Sequence, residues 1–362
     1  MHRYEMICIG AGPAGLAAAV EAAKNGVQVA VFDENDRPGG QLFKQIHKFF
    51  GSREHRAKER GYNIGQSFLD EAQELGVAVS LNSTVLGIYE NGVVNVMIQD
   101  RIEQVTAQKT LIATGASENM IPFPGWTLPG VIGAGAAQTM AHIHGVRPGA
   151  EILMVGSGNV GLIVSYQMMQ AGCHIGAIID AAPKIGGYAV HAAKIARVGV
   201  PFFMSHTIKA ARGKDCVEGA TIVQVDKSWQ PIAGTEKEFE ADTICIAVGL
   251  NPMTQLAQMA KCQMVYIPVL GGNIPAHDLN QETSIKNIYV AGDISGIEEA
   301  STAVIEGRIA GLAIAHSLDY LDDQSFKDQH KRQLKSMQGL RSGSHGEARG
   351  KAKVYLNAVM KG

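Results

Sequence analysis

Five cysteines are scattered along 362 residues, at Cys8, Cys173, Cys216, Cys245 and Cys262, and the nearest two stand 17 positions apart. A redox CxxC and a zinc-ligand cluster need closer thiols, and an odd number of cysteines builds no even-numbered disulfide framework, so none of them is encoded. A reducing cytoplasm is the compartment this usage predicts. Aromatic residues make up only 6%, and 32 basic side chains nearly balance 34 acidic ones for a net charge of −2. Such a chain has no global field to draw nucleic acid or an anionic membrane. No apolar run approaches the roughly 20 residues of a membrane helix. Neither GxSxG nor a Walker A sequence occurs, which removes support for hydrolase and P-loop readings. His142 and His144 are two apart, face different ways on a helix, and make a poor metal pair. Disorder is excluded by the 46% hydrophobic content and the lack of low-complexity repeats.

Glycine is abundant: 42 of 362 residues, against roughly 7% in average proteins. Few aromatics with many glycines fit an α/β protein whose loops bring backbone close to a ligand. Met1-His2-Arg3 and the apolar stretch to Val20 imitate a secretory signal. The fixed spacing of Gly10, Gly12 and Gly15 serves a nucleotide fold instead.

The chain repeats itself. Residues 6–15 and 152–161 both run from an apolar strand through GxGxxG into a helical stretch, so Gly10 maps to Gly156. The strand Val27–Phe32 ends at Asp33, and its copy His174–Ile179 ends at Asp180. Gly39-Gly40 recurs as Gly186-Gly187. In the first copy, Val77–Ser80, Val85–Tyr89 and Val93–Ile98 read as strands, with Asn91-Gly92 as a hairpin turn. In the second, Val217–Asp226 and Glu238–Asp242 do so. Buried strands then stop at glycines: Thr110–Thr114 at Gly115, Thr243–Val248 at Gly249, and Asn287–Ala291 at Gly292. A helix from about Glu298 to Leu318 completes the first copy.

The predicted fold class is α/β, with two Rossmann-like three-layer nucleotide-binding domains, the second inserted in the first. The first spans residues 1–117 and 252–320, the second 118–251. Residues 321–362 hold nine basic and four acidic residues and form a basic helical appendage, suited to an acidic partner or simply solvated.

In the first fingerprint Gly10 permits a tight turn, Gly12 admits a pyrophosphate, and Gly15 lets helix pack on strand. The amides and dipole of the following helix hold the phosphates, and Asp33 is placed to accept from a ribose hydroxyl. Gly156, Gly158, Asn159, Val160, Gly161 and Asp180 repeat this site. A carboxylate at Asp180 accepts a 2′-hydroxyl and repels a 2′-phosphate. Lys184 is the only base nearby, so NAD, ADP or ATP is expected there rather than NADP. That site either exchanges hydride or only holds its nucleotide.

Strand–GxGxxG, Gly-Gly-Gln, Ala-Thr-Gly and Ala-Gly-Asp, in this order, resemble the two-dinucleotide-fold flavoproteins of the thioredoxin reductase type over residues 5–318. The resemblance implies FAD in the outer domain and a nicotinamide nucleotide in the inserted one. It implies FAD contacts at Gly10, Gly12, Pro13, Ala14 and Gly15, at Asp33 and Glu34, and at Gly40 and Gln41. Further contacts are implied at Val85, Thr114 and Gly115, at Gly292 and Asp293, and at Ala300, Ser301 and Thr302 on the helix N-terminus. Lys44, Gln45 and His47 follow Gly40-Gln41 and are the flavin-side catalytic candidates, as a cation and a proton relay, or else simply surface residues.

The stretch Gly125–Gln138 carries no thiol where thioredoxin reductases carry CxxC, so disulfide exchange is excluded. Gly-Trp-Thr-Leu-Pro-Gly-Val at 125–131, residues 47–52 and residues 340–346 are instead similar to the nucleotide-binding subunits of multi-subunit dehydrogenases of amines and amino acids. Those include dye-linked proline dehydrogenase, hydrogen cyanide synthase, opine oxidases and sarcosine oxidase. Many of them continue into a cysteine-rich module, which these 362 residues lack, so iron–sulfur clusters are expected on separate partner chains. The resemblance implies one FAD-dependent oxidoreductase subunit of a complex, whose partners are small iron–sulfur subunits and an FAD-containing dehydrogenase subunit. Two other readings stay open: a stand-alone NADH:acceptor flavin reductase of ferredoxin type, and a non-catalytic nucleotide-binding scaffold.

Overall fold

The computed structural model describes residues 2–49, 52–343 and 346–360. Two compact units emerge, one from Met1–Ser117 with Asn251–Gly362, the other from Glu118–Leu250.

The first unit opens with β1 (His2–Ile9), α1 (Pro13–Lys24), β2 (Val29–Phe32), α2 (Gly61–Glu74), β3 (Ala78–Ser80), β4 (Ser83–Ile88), β5 (Val93–Ile98) and β6 (Arg101–Ile112). Strand order is β3-β2-β1-β6-β5-β4. β1 pairs in parallel with β2 and β6, and β4, β5 and β6 pair antiparallel. Side chains along a strand alternate between faces, and both faces of β1 are covered. Met6 and Cys8 enter the core under α1, while Ile7 and Ile9 enter the core on the other side. The β4–β5 turn places Asn91 at φ 60° and Gly92 at φ 71°, the left-handed pair that Asn-Gly favours.

The second unit contains β7 (Val131–Gly133), α3 (Ala134–His142), β8 (Glu151–Val155), α4 (Asn159–Gln170), β9 (His174–Asp180), α5 (Ala189–Arg197) and β10 (Phe202–Met204). It continues with β11 (His206–Arg212), β12 (Gly219–Gln224), β13 (Lys237–Glu240) and β14 (Thr243–Ile246). A parallel sheet runs β10-β9-β8-β14-β7, and β11-β12-β13 form a separate antiparallel sheet. Helices cover one face of the parallel sheet with Leu162, Met168 and Ile195. Ile208, Ala220 and Ile222 of the small sheet cover the other.

The chain then returns to the first unit with β15 (Ile288–Val290), α6 (Ala300–Ser317), α7 (Asp323–Leu340) and α8 (Glu347–Val359). β15 extends the sheet by pairing with the end of β6. α6 packs on α1 through small residues: a Cβ on Gly311 would lie 2.5 Å from the Ala18 carbonyl oxygen, and one on Gly307 would collide with that of Ala14. The excess of glycine and alanine therefore sets a close helix–helix approach as well as the loops.

The basic C-terminal stretch is part of the first unit, which corrects the expectation of a solvated appendage. Met337, Leu356 and Lys353 are all buried. The Asp322 carboxylate caps α7, accepting from the amides of Gln324 and Ser325. The physical reason for the docking is a pair of buried carboxylates, described below.

Candidate functional site

Each unit has a mouth where a β-strand meets a helix through glycines. In the first, β1 ends at Ile9, and Gly10 turns with φ 104°. A Cβ there would collide with the Ala113 carbonyl oxygen, and one on Gly15 with that of Gly10. No heavy atom lies within 4 Å of where a Cβ on Gly12 would stand. Gly12 also caps α1 without a side chain, and Pro13 occupies its first turn. The opening amides of α1 and its dipole therefore face open space, the arrangement that holds a phosphate.

The second mouth repeats this geometry. Cβ atoms on Gly156 and Gly161 would strike the carbonyls of Ala247 and Gly156, while Gly158 again has nothing within 4 Å. Asn159 begins α4 with no side-chain cap; its Oδ1 instead accepts from the Tyr188 amide at 2.8 Å. Val160 is exposed.

Both strand-end aspartates turn inward onto their mouths. The Asp33 carboxylate accepts from the Ala11 amide at 2.6 Å and from the amide and Nδ2 of Asn35, each at 2.8 Å. Asp180 accepts from the Ser157 amide at 2.7 Å, its Oγ at 2.6 Å and the Ala182 amide at 2.9 Å. A carboxylate offers about four lone-pair sites, so each aspartate holds its glycine loop and keeps acceptor capacity over. Glu34 and Lys184 are exposed. The roles of Ser157, Asn35 and Ala182 were missed from sequence; the x of GxGxxG and the second residue past the aspartate would have pointed to them.

Other predicted residues of the first site gather at the same place. A Cβ on Gly40 would lie 3.1 Å from the Gly12 Cα, and one on Gly10 lies 3.5 Å from the Thr114 amide. Thr114 Oγ1 donates to the Met253 carbonyl, and the Met253 amide donates to Gly115. Gly292, at φ 79°, backs onto Ala14, whose Cβ would stand 2.9 Å from a Cβ there. Asp293 follows, and Ala300, Ser301 and Thr302 form the first turn of α6. Gly40, Gln41 and Lys44 lie in a short 3-10 turn, with Gln41 exposed. Gln45 packs against Gly61 at the start of α2, and His47 stacks on Phe49 with ring centres 6.0 Å apart. Val85 lies on β4, whose first residue Ser83 donates its amide to the Asp33 carbonyl, and packs on the core face opposite α1. Phe50, Gly51, Ser344 and His345 of the family-like segments lie outside the described residues.

Behind Gly292-Asp293 lies a buried ionic cluster that the sequence reading missed. Glu306, on the apolar helix α6, accepts from the Gly292 amide at 3.0 Å and from Ser295 Oγ at 2.7 Å. Lys353 donates to Glu306 at 2.7 Å and to Ser295 Oγ at 2.8 Å. Arg341 reaches Glu306 at 2.8 Å and forks onto both oxygens of Glu298. Burial pushes the Glu306 carboxyl up, but Lys353 and Arg341 outweigh it and hold it down at about 2. His277 is driven down to about 4 by burial and by Lys353. Asp293 is pushed up to about 7, by burial first and then by Glu306 and Glu299. The signal available in the sequence was Glu306 itself, since a carboxylate in a helix this apolar requires a partner.

Among the described residues no group of three or more His, Cys, Asp or Glu is placed to hold a metal. Burial pushes the thiols of Cys8, Cys173, Cys245 and Cys262 up, that of Cys245 to about 12. Such thiols are poor nucleophiles. No described helix is long and apolar enough to cross a membrane.

Two units, each with parallel strands leading to a glycine mouth and a strand-end aspartate, define a chain with two dinucleotide-type folds. The family model for pyridine nucleotide-disulphide oxidoreductases matches residues 4–307, and the chain belongs to that family of flavin-dependent oxidoreductases. Membership implies binding of FAD and NAD(P). The chain is 30% identical over 359 residues to a subunit of opine oxidase from Agrobacterium tumefaciens, covering 93% of this chain and 71% of that one. It is 29% identical over 332 residues to hydrogen cyanide synthase subunit HcnB of Pseudomonas aeruginosa, covering 85% and 70%. Among solved structures, thioredoxin reductase from T. acidophilum superposes with a TM-score of 0.73 at 21% identity, covering 88% of this chain and 100% of that one. That likeness concerns the fold. The open cradles at Gly12 and Gly158 fit the diphosphates of FAD and a nicotinamide nucleotide.

Proposed function

We propose that this chain is the FAD-binding subunit of a multi-subunit dehydrogenase whose substrate is an amino acid or secondary amine of the proline, hydroxyproline, sarcosine or opine class. The observation that carries the reading is a pair of glycine mouths in a chain without a CxxC, which favours electron transfer through bound nucleotides over disulfide exchange. The names of the relatives, subunits of opine oxidase and of hydrogen cyanide synthase, support a subunit rather than a complete enzyme. A flavin, when bound, supplies the electron transfer.

The protein's residues bind and orient. The α1 amides at Gly12–Gly15 take the diphosphate of FAD, and Asp33 accepts from its ribose. Asp293 and the α6 N-terminus at Ala300–Thr302 face the remainder, where the helix dipole favours negative charge. Lys44, Gln45 and His47 are the candidates on the flavin side. At the second mouth Asp180 selects a nucleotide with a free 2′-hydroxyl, so NAD or an adenosine nucleotide is held there. The C–N oxidation falls to a partner flavoprotein, and small iron–sulfur subunits carry electrons between them.

Purification of the native complex, with mass spectrometry of its nucleotides and polypeptides, tests this. Stoichiometric FAD, a flavoprotein dehydrogenase and an iron–sulfur polypeptide are expected. A chain that oxidises an amine by itself contradicts its role as one part of a complex. Rapid anaerobic bleaching of the isolated chain by NADH at about 450 nm, the usual flavin band, favours a stand-alone NADH:acceptor reductase instead.

A further inference from the structure

The C-terminal helices α7 and α8 and their flanks carry nine basic residues, yet two of these cations leave the surface. Lys353 is 4% exposed and Arg341 keeps 18% of its side chain in contact with solvent. Both end on carboxylates beside the Gly292-Asp293 turn. Burying ions in a protein interior is costly, and an apolar cluster of similar volume packs as well or better, so such a cluster is weak evidence for stability alone. What ionic contacts supply is direction: each hydrogen bond fixes one atom against another.

Two such lines run from the tail to the turn. Lys353 Nζ holds Glu306, and Glu306 Oε2 takes the Gly292 amide and Ser295 Oγ. Lys353 also grips the Ser295 carbonyl directly at 2.8 Å. Arg341 also holds Glu306, at 2.8 Å, and clamps the Glu298 carboxylate on the stretch between the turn and α6. Gly292, between them, adopts a left-handed φ and lies against Ala14 in the first turn of α1. The tail therefore fixes a turn that abuts the first mouth.

We propose that Lys353 and Arg341 are positioning residues for the flavin: acting through Glu306 and Glu298, they hold the Gly292–Ser295 turn in the conformation that receives the cofactor, so the C-terminal helices and FAD stabilise each other. The proposal rests on the reading that FAD occupies the first mouth. Coupling between sites is reciprocal, so FAD orders the tail as much as the tail orders the FAD site. The cluster is balanced by two cations and two carboxylates, and Asp293 lies outside that balance. Its carboxyl is pushed up to about 7 by burial first, and then by Glu306 and Glu299.

The test compares the full chain with Lys353→Met and with the double variant Glu306→Leu/Lys353→Met, which removes both charges so that neither is left orphaned. FAD affinity is read by fluorescence titration, the flavin's environment by visible circular dichroism at saturating FAD, and the tail by limited proteolysis with and without FAD. Binding of ADP at the second mouth serves as the internal control. Both variants are expected to bind FAD at least tenfold more weakly, to alter the visible dichroism, and to lose FAD protection of the tail, with ADP binding unchanged. If Lys353→Met does not fold, the double variant decides. Wild-type affinity, dichroism and protection in a folded variant overturn the proposal while leaving FAD at the first mouth intact. A wild-type chain that takes up no FAD overturns both.

Discussion

At the first mouth Asp33 takes the Ala11 amide at 2.6 Å; at the second Asp180 takes the Ser157 amide at 2.7 Å. The turn glycines Gly10 and Gly156 have φ of 104° and 115°, and both cradles at Gly12 and Gly158 are open. The mouths differ in what is built around them. Behind the first stand α6 and the ionic cluster of Glu298, Glu306, Arg341 and Lys353. At the second, Ser157 adds a hydroxyl to the aspartate and Asn159 holds the Tyr188 amide. A duplicated glycine cradle is thus set in two different surroundings, and the difference lies in those surroundings rather than in the cradle.

The strongest way to break that contrast is Glu306→Leu alone. It leaves Lys353 buried without its carboxylate, and loss of one partner of a buried pair costs about 3–5 kcal/mol. Urea unfolding of the first unit should register this. Asp180→Asn keeps most of its contacts and should cost the second unit about 1 kcal/mol. Comparable losses from the two substitutions would erase the asymmetry.

Nucleotide choice sharpens the comparison next. Asp180→Ser removes the carboxylate that repels a 2′-phosphate. The ratio of NADH to NADPH affinity is expected to fall roughly tenfold, about 1.4 kcal/mol. Asp33→Ser should weaken FAD and leave that ratio where it was. A ratio that follows Asp33 instead would exchange the roles of the two mouths.

Acid stability adds a third contrast, in which neighbouring groups act with opposite sign. His277, depressed from 6.5 to about 4, contributes stability that is present above pH 6.5 and lost as pH falls toward 4. Glu306, depressed from 4.5 to about 2, loses its contribution in the same direction at lower pH. Asp293, raised from 3.8 to about 7, acts oppositely: its contribution is complete below 3.8 and is lost as pH rises through 7. In FAD-free protein the slopes of His277 and Asp293 oppose each other between about pH 4 and 6.5. Asp293→Asn should therefore uncover a decline beginning near pH 6.5, seen in melting temperature against pH. In the second unit burial depresses His142 and His191, so its decline begins below pH 6.5 without any substitution. An Asp293→Asn curve identical to wild type would remove Asp293 from the account.

Local sequence carried the mouths because backbone conformation is a local property. Gly10 and Gly156 need left-handed φ, and the apolar runs before them end where β1 and β8 end. The hairpin at Asn91-Gly92 was legible for the same reason. β7, only three residues long and set in a glycine-rich stretch, has too little alternation to be seen. Asn287–Ala291 narrows to Ile288–Val290 because its ends turn into the loops that place Asn287 and Gly292. The ionic cluster was invisible because its members are far apart in sequence: Glu306 to Lys353 spans 47 residues. Charge counting records those lysines and arginines as a basic surface; only the fold shows which two are withdrawn from it.

The division of labour between the mouths is tested most directly by the nucleotide content of two purified variants, Gly12→Val and Gly158→Val, each filling one open cradle. The account predicts that Gly12→Val is colourless and still binds ADP or NADH, whereas Gly158→Val keeps one FAD per chain and loses that second ligand. FAD retained by Gly12→Val, or lost from Gly158→Val, would contradict it.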